Sequence, residues 1–337
     1  MSQEVIFSKY LKELSAVSLQ GDAREESFYP SLADMLAETA QASGRSHIHV
    51  TTLPKQTDAG NPDFRLWNGT DRIVGYVEAK KPTEERLDLI EDSEQLRRYR
   101  STFPNLILTN FLEFRLYRNG ERVETVLAAR PVVLNRLRTA PPIEKPDELY
   151  ALLDRFMSFS LPKVFTAESL ATELAKRTRF LRDVVFQQIR QEKENPSALS
   201  GFFEAFQNYL IGTLTPEGFA DLFAQTISYG LFTARIRAGN LSGTPTQQAS
   251  GFSRRAAFDN IPHTIGVLRD LFRFISLGDL PEQLAWSVDD IAEVLAVADA
   301  PHCVEDVGDR AYDGRGAAFH RPEDVAGEPA QRAQRRV

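Results

Sequence analysis

Residues Asn61–Lys80 read NPDFRLWNGTDRIVGYVEAK, and this stretch decides how the chain is understood. Phe64, Leu66 and Trp67 suit a half-buried strand. Asn68-Gly69 is a strong hairpin signal, and Ile73 to Ala79 is β-branched, aromatic or small until Glu78. The stretch therefore predicts two antiparallel strands, with Pro62-Asp63 leading into the first and Glu78-Ala79-Lys80 closing the second.

Side chains alternate along a strand, so Glu78 and Lys80 are expected to share a face with Tyr76 and Val74, and Ile73, Gly75, Val77 and Ala79 to share the other. A two-residue turn at Asn68-Gly69 would set Asp63 opposite Val74. Glu78 would then lie on the order of 13 Å away at about 3.3 Å per residue, too far for one ion to join both acids. A four-residue turn, Asn68 to Asp71, sets Asp63 opposite Tyr76 and leaves Glu78 one diagonal step away, which a bend could close. The wider turn is the expectation.

Two carboxylates at a sheet rim bind Mg2+, or Mn2+ in its place, through one or two oxygens each. The ion acts as a Lewis acid on a phosphodiester oxygen and lowers the pKa of a bound water. Lys80 adds positive charge where the phosphate gathers negative charge, and could orient or deprotonate that water. This is chemistry for hydrolysing a nucleic-acid backbone.

At these residues the sequence resembles the PD-(D/E)xK nuclease superfamily: Pro62-Asp63, a gap of fourteen residues, then Glu78-x-Lys80. Downstream, Gln95-Leu-Arg-Arg-Tyr99 is similar to the Q-x3-Y helix motif of the RecB-like branch, and its i,i+4 spacing puts Gln95 and Tyr99 on one helical face. Upstream, Glu26 lies on an expected helix where many members carry an extra acid, and it is preferred over Glu25. The resemblance implies Asp63, Glu78 and Lys80 as catalytic residues, Asp63, Glu78 and Glu26 as metal ligands, and Gln95 and Tyr99 as supporting residues. Each piece alone has an ordinary explanation, since Glu-x-Lys suits a solvated edge strand and Pro-Asp suits a turn. Their order within about 75 residues is what chance rarely assembles.

Composition agrees with a DNA-acting protein only through a local surface. The 337 residues carry a formal net charge of −7, which opposes non-specific DNA binding by the whole molecule. Arg97, Arg98 and Arg100 on the Q-x3-Y helix, with Lys81, are the expected phosphate contacts. One cysteine, Cys303, rules out an intrachain disulfide framework. His47 and His49 could share a strand face, but two ligands alone are weak grounds for a metal. No export signal or membrane-spanning run is apparent, so the chain is expected to be cytoplasmic.

The order of elements predicts a mixed central sheet flanked by helices, an α/β nuclease domain, followed by an all-α connector domain. Helices are expected near Gln3 to Leu14, from Asp22 to Gln41 with a break at Pro30, and from Leu87 to Ser101. Strands are expected at Ile48 to Leu53, Leu106 to Thr109, Phe111 to Tyr117 and Arg122 to Leu127. The domains are placed at 1–130, a proline-rich linker at 131–146, helices over 147–300, and a disordered tail over 301–337. Thr215-Pro216 should begin one helix, and Ser287-Val-Asp-Asp290 resembles a capping box for another.

Phe219 to Arg235, FADLFAQTISYGLFTAR, suits a core helix. It also resembles a segment between nuclease and methyltransferase in single-chain restriction-modification enzymes of the type ISP and type IIG kinds. That resemblance implies a Mg2+-dependent endonuclease module acting on double-stranded DNA, with transient pairing on DNA. It also implies missing methyltransferase and target-recognition domains, S-adenosylmethionine being bound only by the former, and a truncated amino-terminal fragment. The alternatives are a DNA-binding or assembly module that keeps the fold without cutting, and a RecB-like repair nuclease.

Overall fold

The computed structural model describes residues 2–52, 61–69, 73–161, 166–191, 198–209, 211–241, 252–261, 271–273, 280 and 282–298. The expected tail, the loop before Asn61 and part of the hairpin turn lie outside the described residues. At the amino end, α1 (Gln3–Leu19) is followed by a 3-10 turn, Glu25–Phe28, and by α2 (Tyr29–Ala42). Pro30 does not kink a long helix. It sits in the first turn of α2, where its missing N–H costs nothing.

The described strands form one six-stranded sheet in chain order: β1 (His49–Thr52), β2 (Phe64–Trp67), β3 (Ile73–Ala79), β4 (Asn105–Thr109), β5 (Glu113–Arg118) and β6 (Glu121–Leu127). Only β3 and β4 run parallel; the other neighbours are antiparallel. A parallel pair needs a crossover, and residues 80–104 supply it with α3 (Leu87–Glu91) and α4 (Glu94–Thr102). The single helix expected from Leu87 to Ser101 is thus broken. Asp88 and Glu91 are held at 2.7 and 2.9 Å by Arg115 of β5, while the Ser93 hydroxyl caps a new helix by accepting from the Leu96 N–H at 3.2 Å.

The hairpin register differs from the expected one by two residues. Phe64 pairs with Val77 and Arg65 with Tyr76, so one step beyond the paired residues Asp63 stands across from Glu78 rather than from Tyr76. One residue of the difference comes from the turn, since Trp67 pairs with Ile73 and not with Arg72. The other is Val74, an extra residue in β3 between the partners of Leu66 and Trp67. The bulge also reverses the expected faces at its start, because Ile73 packs with Tyr76 in one core and Val74 with Val77 and Ala79 in the other. Asn105 holds the bulge, its Nδ2 donating to the Val74 carbonyl at 2.6 Å and to the Phe156 carbonyl at 3.0 Å. A Cβ at Gly75 would come within 2.6 Å of Asn105 Nδ2, so this close approach requires glycine.

Both sheet faces are covered. On one, Phe64, Leu66, Val77, Ile107, Phe114 and Leu116 pack with α1, α2, the short helix α5 (Pro131–Asn135) and α6 (Pro146–Met157). On the other, Tyr76, Leu106, Leu108 and Tyr117 join α4 in a core that continues into α7 (Ala167–Gln191), α8 (Ala198–Tyr209), α9 (Pro216–Leu241), α10 (Arg254–Asn260) and α11 (Glu282–Val297). α6, placed in the expected helical domain, packs its apolar stripe of Leu149, Leu152, Leu153 and Phe156 against the sheet.

The helical region shares a core with the sheet. Trp286 of α11 lies 5.5 Å from Tyr76 of β3 and 5.5 Å from Phe180 of α7, while Tyr76 stacks at 4.2 Å on Phe103. Beside them, Arg177 of α7, 2% exposed, pairs with Glu173 at 2.6 Å and with Asp290 of α11 at 2.9 Å. Asp290 is thus an interior ion-pair partner and Ser287 an interior residue of α11, not the ends of a capping box. Thr215 does begin α9, its hydroxyl accepting from the Gly218 N–H at 3.1 Å. Trp286→Ala should cost about 3–5 kcal/mol, as truncation of a buried aromatic does. In urea, probes on the sheet and on the helices should move together to a lower midpoint.

Candidate functional site

Asp63 and Glu78 are 0% and 1% exposed, at the end of the β2–β3 ladder. A buried carboxylate is costly unless donors surround it, and each acid has them. Asp63 Oδ2 accepts from the Ala79 N–H at 2.6 Å, and its Oδ1 accepts from the Tyr29 hydroxyl at 2.5 Å. Glu78 Oε1 accepts from Lys80 Nζ at 2.6 Å. The Lys80 main-chain N–H donates to the Thr109 carbonyl at 2.8 Å, so the lysine leaves the strand still tied to β4. The three residues that sequence reasoning grouped therefore meet at one corner of the sheet, with Asp63 and Lys80 bound to neighbouring atoms of β3.

Burial pulls the Lys80 ammonium towards a lower pKa, but the Glu78 carboxylate and its hydrogen bond outweigh that, and the net shift is upward. The lysine is thus held in its ammonium form beside Glu78. Burial, then the Asp63 charge, pushes the Tyr29 phenol far up, so it remains a donor. Tyr29 was missed from the sequence. Its signal is the i,i+4 spacing from Glu25, whose Oε1 lies 3.2 Å from the same hydroxyl.

Among the upstream acids, Glu25 and not Glu26 makes this contact. Glu26 is exposed, because the segment is a 3-10 turn, whose tighter winding changes which side chain faces inward. On α4, Gln95 Nε2 donates to the Tyr99 hydroxyl at 3.0 Å. Tyr99 is buried, and its phenol is raised by that burial and by the Glu78 charge, which places the motif within electrostatic reach of the acids.

The four expected phosphate-binding cations divide. Arg97, with a side chain 68% exposed, has only a loose 3.7 Å pairing with Asp92, and Lys81 is also exposed. Arg98 lies over the rings of Tyr99 and Phe180 at 5.8 and 5.6 Å. Arg100 is committed to the fold: its Nε and Nη2 donate to the Gly120 carbonyl at 2.9 and 2.8 Å, and it covers the Tyr117 ring at 5.0 Å. Arg100 locks the β5–β6 turn to α4, where a phosphate cannot compete for both donors. His49 packs on Trp67 at 5.8 Å, while His263, His302, His320 and Cys303 lie outside the described residues.

Among the described residues, no group of three or more His, Cys, Asp or Glu side chains is placed to hold a metal ion. The pair Asp63 and Glu78 nevertheless fits Mg2+ by donor chemistry. Both are hard oxygen ligands on adjoining strands, and Mg2+ is commonly bound through one or two carboxylates with water in its remaining positions. No described helix is long and apolar enough to cross a membrane.

No protein-family model and no curated protein matches the sequence. Among solved structures, the chain is similar to DrdV in a cryo-EM structure of its complex with DNA, at 18% identity and a TM-score of 0.36. The match covers 88% of this chain and 27% of that one, so this chain spans about a quarter of the length of that protein.

Lys80→Met should leave Glu78 as an uncompensated buried charge and cost about 3–5 kcal/mol, with Glu78→Gln in the same chain restoring most of it. Because the folded lysine titrates above its ordinary value of 10.5, its contribution is complete below about pH 10.5 and is lost as pH rises through the elevated value. Urea midpoints measured across that alkaline range should fall in the wild type, and that part of the fall should be missing in the Lys80→Met, Glu78→Gln chain.

Proposed function

We propose that this chain is a divalent-cation-dependent endonuclease module that hydrolyses phosphodiester bonds of double-stranded DNA. The observation that supports this reading best is the union of Asp63 and Glu78 across β2 and β3 with Lys80 Nζ 2.6 Å from Glu78. Asp63 and Glu78 would hold Mg2+ or Mn2+, and the bound ion would supply Lewis-acid polarisation of a phosphoryl oxygen and a water of lowered pKa. Lys80, kept protonated by its carboxylate neighbour, donates to the phosphate as negative charge builds on it. Burial of the acids excludes bulk water, which strengthens each of these interactions. Tyr99 and Gln95 brace the wall of α4 behind the pair. Arg97 and Lys81 are exposed and suited to grip the DNA backbone, and Arg98 keeps an aromatic-backed place beside them.

The wider assignment belongs to the same proposal. Within the PD-(D/E)xK superfamily, the order of motifs and the helical region after the sheet suit the amino-terminal part of a cytoplasmic restriction-modification enzyme. Residues 147–300 would be the connector, and S-adenosylmethionine would bind to a methyltransferase domain outside these 337 residues. Two such modules pairing on DNA would cut both strands. A second reading, a DNA-binding module that does not cut, draws on the lack of a third converging carboxylate among the described residues.

Supercoiled plasmid incubated with the protein and Mg2+ or Mn2+ should be nicked or linearised. Asp63→Ala, Glu78→Ala and Lys80→Ala should each slow cutting roughly 100-fold or more while DNA is still retained in a mobility-shift assay. Arg97→Ala and Lys81→Ala should each lower the salt slope of binding by about one phosphate contact. Retention of DNA without any metal-dependent cutting would favour the second reading.

A further inference from the structure

The Tyr29 hydroxyl has one proton and two carboxylate neighbours. Asp63 Oδ1 is 2.5 Å away and Glu25 Oε1 is 3.2 Å away. A phenol donates one hydrogen bond, so the shorter contact takes the proton and the longer one marks a second acceptor within reach. The ring that carries this hydroxyl has little freedom. It is 5% exposed, packs edge-on against Phe64 at 4.9 Å and lies over Phe111 at 6.5 Å. Phe64 directly follows Asp63, so the stacking residue, the first of β2, and the hydrogen-bonded residue are consecutive in the chain. The clamp is completed from the other side, where Asp63 Oδ2 accepts from the Ala79 N–H at 2.6 Å. Both oxygens of Asp63 are thereby fixed by groups on two different elements, α2 and β3.

We infer that Tyr29 is a positioning residue for Asp63: its hydroxyl sets the rotamer of that carboxylate, with Glu25 Oε1 a second acceptor beside the same phenol. The inference rests on the assignment of Asp63 as a cation ligand. A carboxylate used by an ion must present a lone pair in a fixed direction, and the hydrogen bonds behind it decide that direction.

Tyr29→Phe removes the hydroxyl and keeps the ring contacts, so the chain should still fold. Binding of Mn2+ to the full chain without DNA, followed by the EPR signal of the free ion, should weaken by about 10-fold or more in Tyr29→Phe, as loss of a partner behind a ligating carboxylate does. An unchanged Mn2+ affinity in Tyr29→Phe, where Asp63→Ala abolishes binding, overturns the inference and leaves the metal-site assignment standing. A wild-type chain that binds no Mn2+ removes the metal-site assignment instead. The clamp is then read from the metal-free protein, where Tyr29→Phe should lower the melting temperature in the wild type but not in Asp63→Ala. Equal lowering in both overturns it.

Discussion

Two carboxylates with almost no solvent exposure sit side by side at one end of the sheet, and their burial constrains everything near them. An unpaired charge in such a place would be expelled or neutralised, so the fold must bring donors to it. It does so from three directions: a main-chain N–H in β3, a phenol at the start of α2, and the ammonium of Lys80 where β3 ends. The main-chain donor cannot shift without moving β3, and the buried Tyr29 ring cannot shift without moving the start of α2. The hairpin register, the entry of α2 and the exit of β3 are therefore fixed together by one electrostatic requirement.

The same corner depends on packing that begins far along the chain. Tyr76 precedes Glu78 by two residues on the same strand, and its ring is enclosed by Phe103 and Trp286. The strand that carries Glu78 is thus buried on both faces, one under α6 and the other under α11, as suits a strand paired in parallel with its neighbour. The Arg177–Asp290 ion pair stitches α7 to α11 immediately beside it. Geometry at the acids is consequently maintained by the whole molecule, and the helices do more than follow the sheet in sequence.

Much of the layout could be read from the residues because it rests on local signals. The β-branched run of β3, the Asn119-Gly120 turn and the Thr215-Pro216 helix start all follow from conformational preference within a few positions. The meeting of Asp63, Glu78 and Lys80 was legible because strand parity survives an error of two residues in register. The rest depends on contacts between distant parts. The Val74 bulge is held by Asn105, thirty-one residues away, and the local sign of it is Gly75 beside it in the strand. The choice of Glu25 over Glu26 depends on a tight 3-10 turn, and the capture of Arg100 depends on a carbonyl at Gly120. The placement of α6 with the sheet was hidden by prolines that look like a linker, although the stripe from Leu149 to Phe156 needs an apolar partner that only tertiary structure identifies.

The tryptophan of α11 has a further implication for how such a molecule can diversify. A helical segment that closes over a neighbouring sheet by inserting one large indole cannot be exchanged freely for another, since the incoming segment must bring a ring of matching size to the same place. Recombination between related chains would therefore succeed when its crossover points keep β3 and α11 from the same parent. Crossovers that separate them would inherit a hole or a clash beneath the strand bearing the acids. The aromatic seam joining β3 to α11 would thus set where such an exchange keeps a filled core.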